Sequence, residues 1–96
     1  MSLSTHVLDA AAGAPATGVP VRLERRDGTV VFEGKTDDDG RISGWNPEAG
    51  VYRLVFEVDG EFYPEVVVTF RITDDSAHYH VPLLLSPFAY STYRGS

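Results

Sequence analysis

The stretch HYHVPLLL, residues 78–85, changes character from one residue to the next. From Tyr79 onward the side chains on one side are aromatic or aliphatic, whereas His78 and His80 fall on the opposite side. Because successive side chains of a β-strand point to opposite faces, this pattern predicts a strand with one side in the core. The histidine side then faces either solvent or an interface.

The same period of two recurs elsewhere in the chain. Residues 19–24, 50–58 and 66–72 place apolar side chains at alternate positions, as strands with one buried side do. No segment has the 3.6-residue period of an amphipathic helix. We therefore predict a single all-β domain spanning residues 1–96, with seven or eight short strands in an antiparallel sandwich.

Turn residues separate these runs. Asp27-Gly28 lies between residues 19–26 and 29–36, where it predicts a tight hairpin. Residues 10–18 are small and form a loop between the first two strands. Further reversals are expected at Asp39-Gly40, Asp59-Gly60 and residues 74–76.

Composition narrows the class of protein. A chain of 96 residues has a modest core, so oligomerisation would help to stabilise it. There is no cysteine, which fits a reducing compartment and leaves no thiolate for catalysis. The net charge of −6 disfavours binding to nucleic acid. No apolar run approaches the roughly 20 residues of a membrane span, and the first residues lack signal-peptide features. We expect a soluble cytoplasmic protein.

Three histidines are the first chemical candidates. His78 and His80 share one side of their strand, and His6 shares a side with Ser4 and Leu8. They are either surface histidines or general bases and metal ligands, with adventitious zinc on all three as one alternative. Sequence spacing does not reveal whether His6 and His80 meet. If they do, each disfavours protonation of the other and favours the neutral imidazole of a general base.

Arg41 is the second candidate. It follows Asp39-Gly40 in an acidic turn, so it either pairs with an aspartate there or clamps a planar anion through its guanidinium. Calcium binding by this turn is not expected, because the closing acidic residue of an EF-hand loop is missing.

The C-terminal segment, residues 86–96, is aromatic and rich in hydroxyl groups. Chain ends usually fray, so one interpretation is a last strand followed by a short stub. The other is that Tyr93, Arg94 and Ser96 pack into a site.

Three blocks of sequence resemble one known family over nearly the whole chain. They are STHVLD at residues 4–9, TDDDGR at 36–41, and HYHVPLLLSP at 78–87, which closes with YSTYRGS at 90–96. These blocks are similar to the 5-hydroxyisourate hydrolases of the transthyretin family. The Tyr-Arg-Gly-Ser ending is the feature that separates those hydrolases from the hormone-carrying transthyretins.

The resemblance implies a sandwich of two antiparallel sheets and a homotetramer built as a pair of dimers, with active sites at the dimer–dimer interface. It implies that His6, Arg41 and His80 are catalytic. It also implies that His6, Arg41, Tyr93 and Ser96 bind the substrate, 5-hydroxyisourate, with no metal or other cofactor. The product would be 2-oxo-4-hydroxy-4-carboxy-5-ureidoimidazoline, formed in urate degradation.

One departure from the family concerns the connection after residues 52–58. Family members usually carry a short helix there, whereas residues 58–64 lead almost directly to the next strand. We therefore expect this helix to be missing. Two other classes stay open beside the hydrolase: a transthyretin-like carrier of a small ligand without catalysis, and an immunoglobulin-like adhesion or structural domain.

Overall fold

The computed structural model describes residues 2–96, which form two β-sheets packed face to face. Their strands are, in chain order, β1 (Ser2–Asp9), β2 (Ala14–Pro15), β3 (Pro20–Arg25), β4 (Val30–Lys35), β5 (Arg41–Trp45), β6 (Gly50–Phe56), β7 (Val66–Ile72), β8 (His78–Ser86) and β9 (Ala89–Thr92).

The first sheet is organised around β1. Its partner on one side is β8, which runs parallel to it, and β9 pairs antiparallel with β8 at the edge. The other side of β1 is shared by two short antiparallel strands, because β5 pairs with residues 3–6 and β2 pairs with residues 8–9. The first strand therefore lies between β5 and β8, the two strands that carry the other site candidates.

The second sheet has the order β4-β3-β6-β7, and all its pairs are antiparallel. The hairpin expected at Asp27-Gly28 is confirmed. The Arg25 N–H donates to the Thr29 carbonyl at 2.8 Å, and the Thr29 N–H donates to Asp27 Oδ1 at 2.9 Å. Gly28 has φ of 92°, a conformation that glycine adopts without steric cost.

The core fills the space between the sheets. Its positions match the period-two pattern most clearly in β1, where Leu3 and Val7 are buried and their neighbours in sequence are half-buried on the outer face; in β8, Leu83 is buried and so is its neighbour Pro82. The largest side chains that are fully buried are Tyr52, Phe56, Leu3, Leu23, Leu54, Ile72 and Leu83. Burial on the inner side fixes which residues reach the outer face of the first sheet.

The prediction of an all-β sandwich without the usual helix is confirmed within residues 2–96. Residues 57–65 join β6 to β7 through a reversal in which the Asp59 N–H donates to the Pro64 carbonyl at 2.8 Å. Two details of the prediction are corrected. The parallel β1–β8 ladder makes the first sheet mixed rather than antiparallel, and nine strands replace seven or eight because Ala14–Pro15 pairs with β1.

No helix in the described part of the chain is long and apolar enough to cross a membrane.

Candidate active site

The outer face of the first sheet brings the histidines together. Ser4 and His6 point outward from β1 because their neighbours on that strand are buried. The parallel register places Ser4 beside His80 and His6 beside Pro82, so His6 and His80 are diagonal neighbours on one face. The proximity that sequence spacing could not establish is thus a consequence of the β1–β8 pairing.

Arg41 joins this face from the other side of β1. The antiparallel β1–β5 ladder sets it directly opposite His6. The Asp37 carboxylate accepts the backbone N–H groups of Asp39 and Arg41, both at 2.9 Å. These bonds, the one from Arg41 first, lower the pKa of Asp37. The acidic turn therefore holds Arg41 through its backbone. Among residues 2–96, no carboxylate forms an ion pair with the exposed Arg41 guanidinium.

Serine hydroxyls engage both histidines of β8. Ser4 Oγ lies 2.7 Å from Nδ1 of His80 and 3.3 Å from Nε2 of His78. Ser2 Oγ lies 2.6 Å from Nδ1 of His78. The two rings are nearly parallel, with 13° between their planes and 6.5 Å between their centroids. The four side chains form one continuous series of hydrogen-bond contacts.

The surroundings of His80 favour its neutral form. Burial lowers its pKa, and electrostatic repulsion by Arg41, His6 and His78 lowers it further, against a smaller opposing effect from the backbone of Ser4. Because an unperturbed histidine titrates near pH 6.5, His80 is largely unprotonated at pH 7. A neutral imidazole beside an arginine can accept a proton from water while the arginine stabilises negative charge.

The C-terminal residues reach the same face. The Gly95 N–H donates to the His80 carbonyl at 2.8 Å, which forms an isolated β-bridge. Just before it, the Arg94 guanidinium lies 4.4 Å from the centre of the Tyr79 ring, a cation–π contact. The tail therefore contacts His80 through Gly95, whereas Arg94 packs on the inward-facing Tyr79; packing of Tyr93, Arg94 and Ser96 into the site stays a prediction.

Tyr93 and Ser96 are both exposed. Tyr93 lines a cavity of about 180 Å³ together with Phe70 of β7 and the inward-facing Tyr79 of β8. The cavity is lined by residues of β7, β8 and the C-terminal segment, and its lining does not include the histidines. Contact of Tyr93 and Ser96 with substrate stays a prediction.

Sequence reasoning did not assign a role to Ser2, Ser4 or Gly95. The alternation of Ser2 and Ser4 with buried residues signals that they share the side of His6. Their contacts with His78 and His80 depend on a ladder between strands more than 70 residues apart, which no local pattern reveals.

A metal site was one open alternative for the histidines. Across residues 2–96, no group of three histidine, aspartate or glutamate side chains is close enough to hold a metal ion.

Comparison with known proteins gives a consistent result. The model of the HIUase/Transthyretin family matches residues 3–95. A 5-hydroxyisourate hydrolase of Caulobacter vibrioides is 44% identical over 112 aligned positions, covering 98% of this chain and 97% of that protein. The structure of Klebsiella pneumoniae 5-hydroxyisourate hydrolase superposes with a TM-score of 0.90 at 36% identity, covering 99% of this chain and 98% of the other.

The hormone-carrying side of the family is similar in fold as well. Sea bream transthyretin in complex with thyroxine has a TM-score of 0.86 and 33% identity, covering 97% of this chain and 93% of that one.

The chain belongs to the HIUase/Transthyretin family. Within that family it is a hydrolase, since several relatives that match nearly its whole length are 5-hydroxyisourate hydrolases.

Proposed function

We propose that this protein hydrolyses 5-hydroxyisourate to 2-oxo-4-hydroxy-4-carboxy-5-ureidoimidazoline during urate degradation. The observation that carries the proposal is the meeting of His6, Arg41 and a neutral His80 on one face of the first sheet, with the C-terminal segment tied to His80. The identity of the proposed substrate is taken from the relatives, which are 5-hydroxyisourate hydrolases.

His80 acts as the general base in this proposal. Ser4 occupies its Nδ1, so Nε2 is the ring nitrogen left to accept a proton from the attacking water. The lowered pKa favours the neutral ring at neutral pH, and when Nδ1–H donates to Ser4 the unprotonated nitrogen of that ring is Nε2. His6, half-buried on the same face, helps to position the water and contacts the substrate. Together the two imidazoles provide acid–base catalysis of a ring opening.

Arg41 holds the substrate and stabilises the charge that develops on it. When water attacks a cyclic amide, the carbonyl oxygen gains negative charge, and a guanidinium matches such an oxyanion with two parallel N–H groups. The backbone bonds to Asp37 fix the position from which Arg41 acts. Its exposed guanidinium, opposite His6, supports this role.

Tyr93 and Ser96 complete the site in this proposal, because they flank Gly95, which is tied to His80. The outer face carries half-exposed Leu8 and Leu84 beside the polar groups, a composition that suits coverage by another subunit. We therefore infer a homotetramer whose dimer–dimer contact encloses the sites. We also place the enzyme in the cytoplasm, where its lack of cysteine fits a reducing environment.

A ligand carrier is the second candidate, favoured by the likeness to thyroxine-bound transthyretin. Truncation after Thr92 separates the two functions. A hydrolase loses most of its acceleration of 5-hydroxyisourate decay, followed by ultraviolet absorbance, because the segment bound to His80 is gone. A carrier gives no acceleration in either form and keeps its affinity for an aromatic anion such as thyroxine. The second result would overturn the proposal.

A further inference from the structure

The side chains of Ser2, His78, Ser4 and His80 form a series that the mechanism above uses only at its end. Each contact joins a hydroxyl to a ring nitrogen, and both nitrogens of His78 take part. Ser2 and His78 have no task in base catalysis as described, and Ser4 acts there only through its bond to His80. His78 is exposed, whereas His80 is half-buried, so the series leads from the candidate site to solvent.

We propose that Ser4 and His78 form a proton relay that takes the proton from His80 during the attack of water and returns it when the ring nitrogen of the substrate leaves. This inference rests on the proposed hydrolase function. It adds to that function a role for a histidine and a serine that do not themselves touch the substrate.

The hydrogen-bond pattern allows two consistent directions. In the first, His80 Nδ1–H donates to Ser4, the Ser4 hydroxyl donates to His78 Nε2, and His78 Nδ1–H donates to Ser2. In the second, every bond is reversed. The first direction leaves His80 Nε2 as a free base, and the second leaves it as an N–H acid. One series of contacts can therefore supply both states that hydrolysis requires.

The protons balance in the following way. An O–H bond of water breaks as its oxygen bonds to the substrate carbonyl carbon, and the proton passes to His80 Nε2. The proton on His80 Nδ1 moves to Ser4 Oγ, and the Ser4 hydroxyl proton moves to His78 Nε2. When the carbon–nitrogen bond breaks, His80 Nε2 protonates the leaving nitrogen, and the two transfers reverse. His80, Ser4 and His78 end the turnover as they began it.

The relay is favourable electrostatically, because it moves positive charge from His80 to His78. A positive charge on His80 is disfavoured because the ring is partly buried and faces Arg41 and His6. His78 lies four positions along β8 from Pro82, the partner of His6, whereas His80 lies two positions from it, and His6 is opposite Arg41. Moving the charge to His78 therefore takes it farther from Arg41, where the repulsion is weaker. The relay thus lowers the energy of the intermediate.

Kinetics of His78→Gln provide the first test. Glutamine can accept a hydrogen bond from Ser4 but cannot take up a proton. We expect kcat to fall roughly 10-fold with little change in KM, since substrate contacts remain. In mixtures of H₂O and D₂O, kcat of the wild type should depend on deuterium content along a curve, as several protons move together, whereas the variant should follow a straight line. An unchanged kcat, or the same curve in both proteins, would overturn the relay.

A second test does not depend on activity, so it distinguishes failure of the relay from failure of the hydrolase proposal. Nitrogen-15 NMR identifies which ring nitrogen carries the proton. The wild type should have protonated Nδ1 and unprotonated Nε2 in both His78 and His80. In Ser4→Ala this preference should weaken at both rings, while His6 serves as an internal control and keeps its spectrum. Identical spectra for His78 and His80 in the two proteins would refute the relay even if the enzyme is active.

Discussion

The Gly95 N–H donates to the His80 carbonyl at 2.8 Å, and the side of Gly95 on which a β-carbon would stand faces the His80 ring. A β-carbon built on Gly95 would lie 2.5 Å from His80 Cδ2, well inside van der Waals contact. Only glycine allows the backbone to approach the ring this closely. The last residues of the chain therefore define one wall beside the proposed base.

Gly95→Ala should impair catalysis with little effect on folding. The added methyl must displace either the tail or the His80 ring, and a shift of about 1 Å can cost roughly 100-fold in rate. We expect kcat/KM to fall by that order while the melting temperature stays near that of the wild type. Gly34→Ala is the matched control, since its methyl would be 3.7 Å from Trp45, an ordinary contact. Equal activity of both variants would argue against a catalytic role for the tail.

The pH dependence of kcat/KM should report the charge on Arg41. Because the pKa of His80 is lowered, activity should be lost only as pH falls below the usual histidine range near 6.5. Arg41→Ala removes one of the charges that lower this pKa, so the acid limb should move to higher pH. Arg41→Lys keeps the charge and should leave the limb in place while substrate binding weakens. Identical limbs in the alanine and lysine variants would disprove the coupling.

Asp37→Ala should weaken substrate binding through Arg41. Its carboxylate accepts the backbone N–H of Arg41, so the alanine variant loses the acceptor that holds the turn at this residue. The loosened turn should raise KM more than it lowers kcat. Asp38→Ala, in the same turn, makes the same change in net charge and serves as the control. If both variants raise KM equally, the effect is one of net charge and the positioning role is wrong.

Two substitutions of Tyr79 should distinguish its contribution to stability from its contribution to the position of the C-terminal tail. Its hydroxyl accepts the backbone N–H groups of Thr73 and Asp74, both at 3.1 Å, and its ring lies under Arg94. Tyr79→Phe loses the acceptor and should lower the stability of the protein while retaining activity. Tyr79→Leu also loses the aromatic face and should lose activity. Denaturation at fixed protein concentration, combined with kcat/KM, checks both expectations; equal activity of the two variants would count against an anchoring role.

The side that faces the core could be predicted from sequence for β1 and for the start of β8, because burial alternates there with a period of two. Tyr79 and His80 illustrate this: the first is buried and the second lies on the outer face, as expected. The absence of the usual helix between β6 and β7 was also predictable from the short connection. The alignment with the Caulobacter relative, whose 112 positions exceed the 96 residues of this chain, is consistent with that shortening.

The pairing of distant strands could not be predicted from the pattern. An alternating sequence fixes faces but not neighbours, and Ser4 meets His80 only because β1 and β8 run parallel in one register. Resemblance to the family supplied His6, Arg41 and His80 as a set, whereas composition and periodicity gave no reason to group them. Gly95 was unrecognised because the need for a glycine there arises from a contact across the fold.

The most direct test of the proposed chemistry is the ultraviolet-monitored decay of freshly generated 5-hydroxyisourate with the wild type and with His80→Ala. Size-exclusion chromatography should confirm that the two proteins have the same oligomeric state. The wild type should accelerate the decay strongly, and His80→Ala should lose roughly 10²–10⁴-fold in kcat. Wild-type turnover in His80→Ala would remove this residue from the mechanism, and no acceleration by the folded wild type would contradict the hydrolase function itself.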